Sequence, residues 1–119
     1  MICINKRACG KEYEQIAADY LKANGYEILE RNFYSRYGEI DIIAQENNVL
    51  VFVEVKYRKN SSYGYPEESV NVYKQERIIR SAKYYIYKMG IPEECPCRFD
   101  IVIVNGNNIS CIKDAFWLN

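Results

Sequence analysis

The segment from Gly38 to Arg58, which reads GEIDIIAQENNVLVFVEVKYR, is the feature that most constrains the fold of this chain. Both of its halves are rich in Ile and Val, and a short polar stretch separates them, which is the pattern of two strands joined in a hairpin. Asparagine tolerates the positive φ that a two-residue turn demands, so we place that turn at Asn47-Asn48. The turn makes Glu46 pair with Val49 and fixes the register of the hairpin.

Charged side chains interrupt both strands of this hairpin. The register puts Asp41 directly across from Glu54, and Glu39 across from Lys56. The second pair is an ordinary cross-strand ion pair, but two opposed carboxylates destabilise a sheet. Either a divalent cation bound by carboxylate oxygens neutralises them, or this face is solvated and Lys56 screens both acids. The two strands alone leave both alternatives open.

Apolar periodicity predicts the other elements of the fold. We expect helices over 11–24 and about 68–89, strands over 27–33, 38–45, 49–57, 98–104 and 109–112, and a loop over 59–66. Because side chains alternate along a strand, Glu39 and Asp41 should share one face of the second strand, and Ile40 and Ile42 the other. The order α-β-β-β-α-β-β predicts an α/β fold, a central mixed sheet flanked by helices, in a single domain over 1–119.

The composition excludes several kinds of site. The chain has 119 residues and no histidine, which removes the Ser-His-Asp and Cys-His nucleophile schemes. The five cysteines are an odd number without an export signal, so we expect reduced thiols and no structural zinc. No apolar run approaches the ~18 residues of a membrane span, and we expect a cytoplasmic protein that does not enter the membrane.

The charge of the chain is balanced overall but not along its length. The formal net charge is zero, which does not favour a strong nucleic-acid binder. The stretch from Glu54 to Lys88, however, carries eight Lys and Arg residues against four Glu. Any contacts with phosphates are therefore expected from this middle third.

Two further charged residues border the apolar faces of the predicted helices. Glu14 precedes a run of inward-facing residues on the first helix, from which it could reach the sheet. The alternative is a surface glutamate that pairs with Lys11 or Lys22. Lys74 borders the inward stripe of the second helix, and its alternative is a snorkelling lysine that covers apolar surface.

The ordered set of motifs resembles a known group of proteins. The chain is similar to the PD-(D/E)xK nuclease superfamily and, more closely, to the YraN-like family of predicted bacterial endonucleases, which is related to archaeal Holliday-junction resolvases. The resemblance runs from Gly10 to about Phe116, and its pieces are Gly10-x-x-x-Glu14, Ala17 to Leu21 with Gly25-Tyr26, Gly38-Glu39-Ile40-Asp41, Phe52-Val53-Glu54-Val55-Lys56-x-Arg58, Val70-x-x-x-Lys74, Ala82 and Arg98-Phe99-Asp100. It implies a restriction-endonuclease-like fold.

The resemblance also implies roles for individual residues. Asp41 and Glu54 would hold Mg²⁺ or Mn²⁺, with the backbone carbonyl of Val55 as a further ligand. Lys56 would orient or activate the attacking water and stabilise charge on the phosphate, and Glu14 would contact a metal-linked water. The resemblance gives no settled chemical role to three other matching positions, Glu39, Lys74 and Asp100. One departure is that residues 1–9 lack the basic run that many such proteins carry.

Phosphodiester hydrolysis on DNA is the function that the resemblance implies, and the residues fit its chemistry, since carboxylates, a metal and a lysine suffice for it. The residues that we expect to contact phosphates are Arg58, Lys59, Lys74, Arg77 and Arg80, with Lys83 beside them. Tyr63 and Tyr65 either stack on an unpaired base or pack loosely in their loop. Analogy with the resolvases suggests branched or flapped DNA, and a homodimer is left open. The alternative function is a non-catalytic nucleic-acid-binding or repair-scaffold module with the same fold.

Overall fold

In the part of the chain that the structure describes, two helices and five strands follow one another in the order α-β-β-β-α-β-β. The computed structural model of the protein describes residues 6–58, 71–106 and 108–116, and the side chains of the first helix from Glu12 onward. The elements are α1 (Lys6–Ala23), β1 (Glu27–Ser35), β2 (Gly38–Glu46), β3 (Val49–Arg58), α2 (Val72–Lys88), β4 (Cys97–Asn105) and β5 (Asn108–Phe116). The predicted order and α/β class are confirmed. Neither helix is long and apolar enough to cross a membrane, within the ranges just given.

The strands form one mixed sheet in the order β1-β2-β3-β4-β5. Every neighbouring pair is antiparallel except β3 and β4, which are parallel. Parallel neighbours need a crossover connection, and α2 lies in the segment that makes it. Helix α2 begins at Val72 because Asn71 is extended and caps it, accepting a hydrogen bond of 2.9 Å from the Lys74 N–H. The predicted start near residue 68 lies outside the described residues.

Each face of the sheet carries its own apolar layer. The layer under α2 contains Leu50, Phe52, Ile78, Ala82, Tyr85, Phe99 and Ile101, among others. The layer under α1 contains Ala17, Ala18, Leu21, Val51, Val53 and Val102, among others. The strict alternation of β3 between these two layers is what its sequence predicts for a strand covered on both faces.

The β2–β3 hairpin has the predicted turn and, near that turn, the predicted register. Asn47 and Asn48 both have positive φ, of 49° and 68°. The ladder then runs from the pair Glu46 and Val49 to the pair Ile42 and Val53, where it ends. The next two predicted pairings, Asp41 with Glu54 and Glu39 with Lys56, are not part of the ladder.

The two strands separate at Asp41 because its side chain takes the place of a backbone acceptor. The N–H of Val55 donates to Asp41 Oδ2 at 2.8 Å. A consequence is that the expected alternation of β2 was wrong here: Ile40 lies in the layer under α2, whereas Ile42 lies in the layer under α1. The break in alternation brings residues at the start of β2 to the end of the sheet, between the two helices.

A buried polar network explains why Asp100 matches the motif set. Asp100 is fully buried, and it accepts hydrogen bonds from the Tyr26 hydroxyl at 2.8 Å and from Arg98 Nε at 2.9 Å. It also accepts from the Asp114 N–H at 3.0 Å, in the part of β5 that extends past the predicted end at Ile112. Asp100 therefore joins β4, β5 and the start of β1, and its role is structural.

The structural role of Asp100 predicts a large loss of stability on its removal. Asp100→Ala leaves Arg98 and the Tyr26 hydroxyl without their buried partner, and removing one member of a buried ion pair costs about 3 kcal/mol or more. We expect that loss in the free energy of unfolding measured with urea. Lys113→Ala, which removes an exposed neighbour of the network, is the control and should change stability little. An Asp100→Ala protein of normal stability would contradict the structural role.

Candidate metal and catalytic site

Three carboxylates from two elements meet at the end of the sheet where β2 leaves β3. Glu14 comes from α1, and Glu39 and Asp41 come from β2. One carboxylate oxygen of each lies within 4.8 Å of the other two. The expected ion pair between Glu39 and Lys56 was wrong, because the strands part before they could pair, and Glu39 turns instead toward Glu14.

Asn32 of β1 lies against two of these acids. In the amide orientation that its surroundings favour, its nitrogen lies 2.9 Å from Glu39 Oε1 and 3.2 Å from each oxygen of Glu14. Asn32 adopts a positive φ of 53°, which asparagine tolerates better than most residues. Its amide holds the two carboxylates in place, but as a neutral group it does not balance their charge.

The acids perturb one another's protonation. Burial, followed by the charge of Glu54, raises the pKa of Asp41 to about 8, although the Val55 N–H acts in the opposite direction. Burial and then the charges of Glu14 and Glu54 also raise the pKa of Glu39. Burial and the repulsion between the acids therefore both disfavour their ionised forms, and a bound cation would offset both effects.

Two lysines hold the fourth acid, Glu54, which is itself buried. Lys74 Nζ lies 2.6 Å from Glu54 Oε1, and Lys56 Nζ lies 3.6 Å from the same oxygen. Burial and the neighbouring Lys74 ammonium lower the pKa of Lys56. Burial acts to lower the pKa of Lys74 as well, but the hydrogen bond to Glu54 outweighs it, and that pKa is raised. The two lysines thus differ: one is biased toward losing its proton and the other toward keeping it.

Three of the four acids, Glu39, Asp41 and Glu54, line a cavity of about 380 Å³ together with Lys74, between β2, β3 and the start of α2. Its lining residues are Gly38, Glu39, Asp41, Glu54, Asn71, Tyr73, Lys74, Arg77 and Ile78. Gly38 begins β2 beside α2 with a φ of 146°, a backbone conformation that residues with a side chain rarely adopt, so this position favours glycine. One side of the cavity is therefore acidic, with Glu39, Asp41 and Glu54, and the other is basic, with Lys74 and Arg77.

The basic residues that we expected to contact phosphates divide into three groups. Lys74 and Arg77 line the cavity, and Arg58 is the last residue of β3. Arg80 is exposed on the outer surface of α2, next to Lys83. The predictions for Lys59, Tyr63 and Tyr65 lie outside the described residues.

Sequence reasoning missed three contributors to this site. Glu39 was assigned to an ion pair that the parting of the strands prevents. Lys74 was expected on phosphates, yet it reaches the buried carboxylate of Glu54. Asn32 was not considered at all, although an asparagine inside a predicted strand is unfavourable and was a usable signal.

The raised pKa of Asp41 predicts that stability falls as the pH rises. The folded chain keeps a proton on Asp41 up to about pH 8, whereas the unfolded chain releases it near the ordinary value of 3.8. The free energy of unfolding should therefore decrease between about pH 4 and about pH 8, and urea unfolding in EDTA measures it. Asp41→Asn should reduce this slope, since its amide oxygen still accepts from the Val55 N–H but carries no charge.

Asp19→Asn is a matched control, because Asp19 is exposed on α1 away from the cavity. It should keep the pH dependence of the parent chain. An Asp41→Asn protein with an unchanged slope would show that Asp41 is not the titrating group.

Comparison with known proteins finds close relatives in sequence. The chain is 51% identical over 113 residues to the "UPF0102 protein" of Lachnoclostridium phytofermentans, covering 95% of this chain and 96% of that one. It is 50% identical over 110 residues to the "UPF0102 protein" of Persephonella marina, covering 92% and 94%. The match to a solved structure, "The structure of Pyrococcus Furiosus SfsA in complex with Ca2+", has a TM-score of 0.35 and 16% identity over 92% of this chain and 63% of that one.

A family model covers most of the chain. The model described as "Uncharacterised protein family UPF0102" matches residues 13–104, a range that includes the four acids, both lysines and Asn32. The YraN-like resemblance is thereby confirmed at the level of the family, whereas membership of the nuclease superfamily stays a prediction. The chain belongs to the family UPF0102.

Proposed function

We propose that this protein is a metal-dependent DNA endonuclease that hydrolyses phosphodiester bonds in the cavity between β2, β3 and α2. The observation that carries the proposal is the meeting of three carboxylates, within 4.8 Å of one another, beside a lysine-paired Glu54. Phosphodiester hydrolysis needs negative ligands for a cation and positive groups for the phosphate, and the cavity offers both in one place.

The carboxylate cluster fits a hard divalent cation such as Mg²⁺ or Mn²⁺. Its donors are all carboxylate oxygens, the ligand type that these ions prefer, and a bound cation would offset the burial and the Glu54 charge that raise the pKa of Asp41. Glu14, Glu39 and Asp41 are the residues that would hold the ion. When bound, the ion would supply Lewis-acid polarisation of the phosphoryl oxygen.

Glu54 and Val55 also support this site, with roles that differ in part from those the resemblance implied. Both lysines contact Glu54 through Oε1, so Glu54 positions the lysines whether or not it also binds the metal. Val55 orients Asp41 through its N–H, and its carbonyl stays a proposed ligand. Asp41 is thus fixed by the backbone, as a ligand in a preorganised site should be.

The two lysines are suited to different tasks in the reaction. Lys56, whose pKa is lowered, is the better candidate to orient the attacking water and accept its proton. Lys74, whose pKa is raised, keeps its charge and can stabilise the negative charge that develops on the phosphate. Arg77, on the same cavity wall, adds a contact for a neighbouring phosphate.

Metal binding predicts a gain in thermal stability. A cation that binds only the folded chain adds about 1.4 kcal/mol to the free energy of unfolding at ten times its Kd, which raises Tm by roughly 5 °C in a domain of this size. We expect this shift with Mg²⁺ or Mn²⁺ in differential scanning fluorimetry. Asp41→Asn should lose the shift, and Asp19→Asn should keep it. An equal shift in both variants would place the ion elsewhere.

Cleavage should depend on Lys56 far more than binding does. Lys56→Ala removes the group that acts on the water, so we expect cleavage to fall by about 100-fold or more while DNA affinity stays nearly unchanged. Plasmid, linear and four-way-junction DNA, each with Mg²⁺ or Mn²⁺, test activity and substrate shape together. Lys22→Ala, which removes an exposed lysine on α1, should cut like the parent chain.

The same experiment decides between the endonuclease and the non-catalytic module. A chain that binds DNA but cuts none of the three substrates with either ion would favour the module. Equal cleavage by the parent chain and Lys56→Ala would instead overturn the role of this lysine.

A further inference from the structure

A second surface, separate from the acidic cavity, combines exposed aromatic rings with positive charge. It is formed by the β1–β2 turn and the outer face of α2, and we call it the tyrosine surface. Its residues are Arg36, Tyr37, Arg80, Lys83, Tyr84 and Tyr87. All of them except Arg36 line a groove of about 450 Å³, which is large enough for a nucleobase.

The rings of this surface are not absorbed by the core. Tyr87 is 78% exposed and Tyr84 is 41% exposed, whereas the neighbouring Tyr85 is buried. The Arg36 guanidinium lies 4.9 Å from the centre of the Tyr37 ring and donates to the Tyr37 hydroxyl at 2.7 Å. Arg36 therefore holds the half-buried Tyr37 ring in place at the surface.

The charges of this surface favour a nucleic-acid partner over a second copy of the chain or another protein. The six residues of this surface include three cations, Arg36, Arg80 and Lys83, and no acid. A second copy of this chain would bring cations against cations if the same surface met itself. Lysine is also depleted in protein interfaces, whereas lysine, arginine and aromatic rings together are the composition of single-strand-binding surfaces.

The surface lies within reach of the acidic cavity along one helix. Arg77 lines the cavity, and Tyr84 lies seven positions further along α2, a rise of roughly 10 Å. A strand with stacked bases advances about 3.4 Å per nucleotide, so about three nucleotides would span the interval. The β1–β2 turn also connects the two sites, because Tyr37 of the groove directly precedes Gly38 of the cavity, which lies beside Arg77 of α2.

We propose that the tyrosine surface binds an unpaired stretch of DNA, whose bases stack on Tyr37 and Tyr87 while Arg80 and Lys83 contact its phosphates. The identification of DNA rests on the proposed function, but the binding itself requires no cleavage. Unpaired bases expose their faces to aromatic rings, whereas the bases of a duplex cover one another. The site would thereby direct the cavity to DNA with single-stranded segments.

Binding to a fluorescein-labelled oligothymidylate of about 12 nucleotides, followed by fluorescence anisotropy in EDTA, tests this surface. The double variant Tyr37→Ala and Tyr87→Ala should weaken oligothymidylate binding by about tenfold or more, since each stacked base contributes substantially. It should change the affinity for a duplex of the same length by less than about twofold. Replacing both tyrosines by phenylalanine keeps the rings and should restore binding.

A second pair of variants separates stacking from charge. Arg80→Ala with Lys83→Ala should weaken oligothymidylate and duplex alike, and should reduce the slope of log affinity against log salt by about 0.7 per lost contact on the single strand. Tyr57→Ala is the matched tyrosine control, because Tyr57 stacks on Tyr13 of α1 at 3.8 Å, away from this surface. Lys22→Ala is the matched charge control.

Each outcome bears on a different proposal. Unchanged oligothymidylate binding in the tyrosine-to-alanine variant would overturn the inference, whether or not the chain cuts DNA. Self-association of the parent chain that those substitutions abolish, measured by sedimentation, would also overturn it in favour of a dimer interface. Oligothymidylate binding that depends on the tyrosines, in a chain that cuts nothing with Mg²⁺ or Mn²⁺, would sustain the inference while the proposed endonuclease fails.

Discussion

The hydrogen bond from the Val55 N–H to the Asp41 carboxylate is the interaction on which the site depends. It satisfies a backbone donor in β3 that would otherwise face the departing β2 strand. Because a side chain serves as the acceptor, β2 is free to leave the ladder after Ile42 and to carry Glu39 toward Glu14. A regular hairpin would have placed Glu39 against Lys56 instead.

The separation of charge within the site follows from this geometry. Three carboxylates lie on the side where α1 approaches, and two lysines gather around Glu54 on the side where α2 begins. Neither group neutralises the other, because the lysines are already engaged with Glu54. The pKa shifts follow from the same arrangement. Burial and neighbouring carboxylates raise the pKa values of Asp41 and Glu39, and burial and the neighbouring Lys74 lower the pKa of Lys56.

The sequence was sufficient for the element order and for the hairpin turn, because apolar periodicity and the Asn47-Asn48 pair are local signals. It also predicted that Asp41 lies near Glu54 and Lys56, since Glu54 and Lys56 share β3 and the turn sets the position of Asp41 relative to them. It could not anticipate that β2 leaves β3 at Asp41, because periodicity carries no information about where a side chain replaces a backbone acceptor. The contacts of Lys74 and Asn32 depend on how α2 and β1 pack, which no local pattern specifies.

The single parallel pairing in the sheet has a consequence for the order in which the site is assembled. The β1–β2–β3 meander and the β4–β5 hairpin join neighbours in sequence, whereas β3 and β4 must meet across the long crossover, which closes a large loop at a greater entropic cost. Both carboxylates of β2 belong to the meander, but Lys74 arrives only with the crossover helix. We therefore expect Asp41, Glu54 and Lys56 to come together with the meander, and Lys74 to complete the site only once the two halves of the sheet have joined.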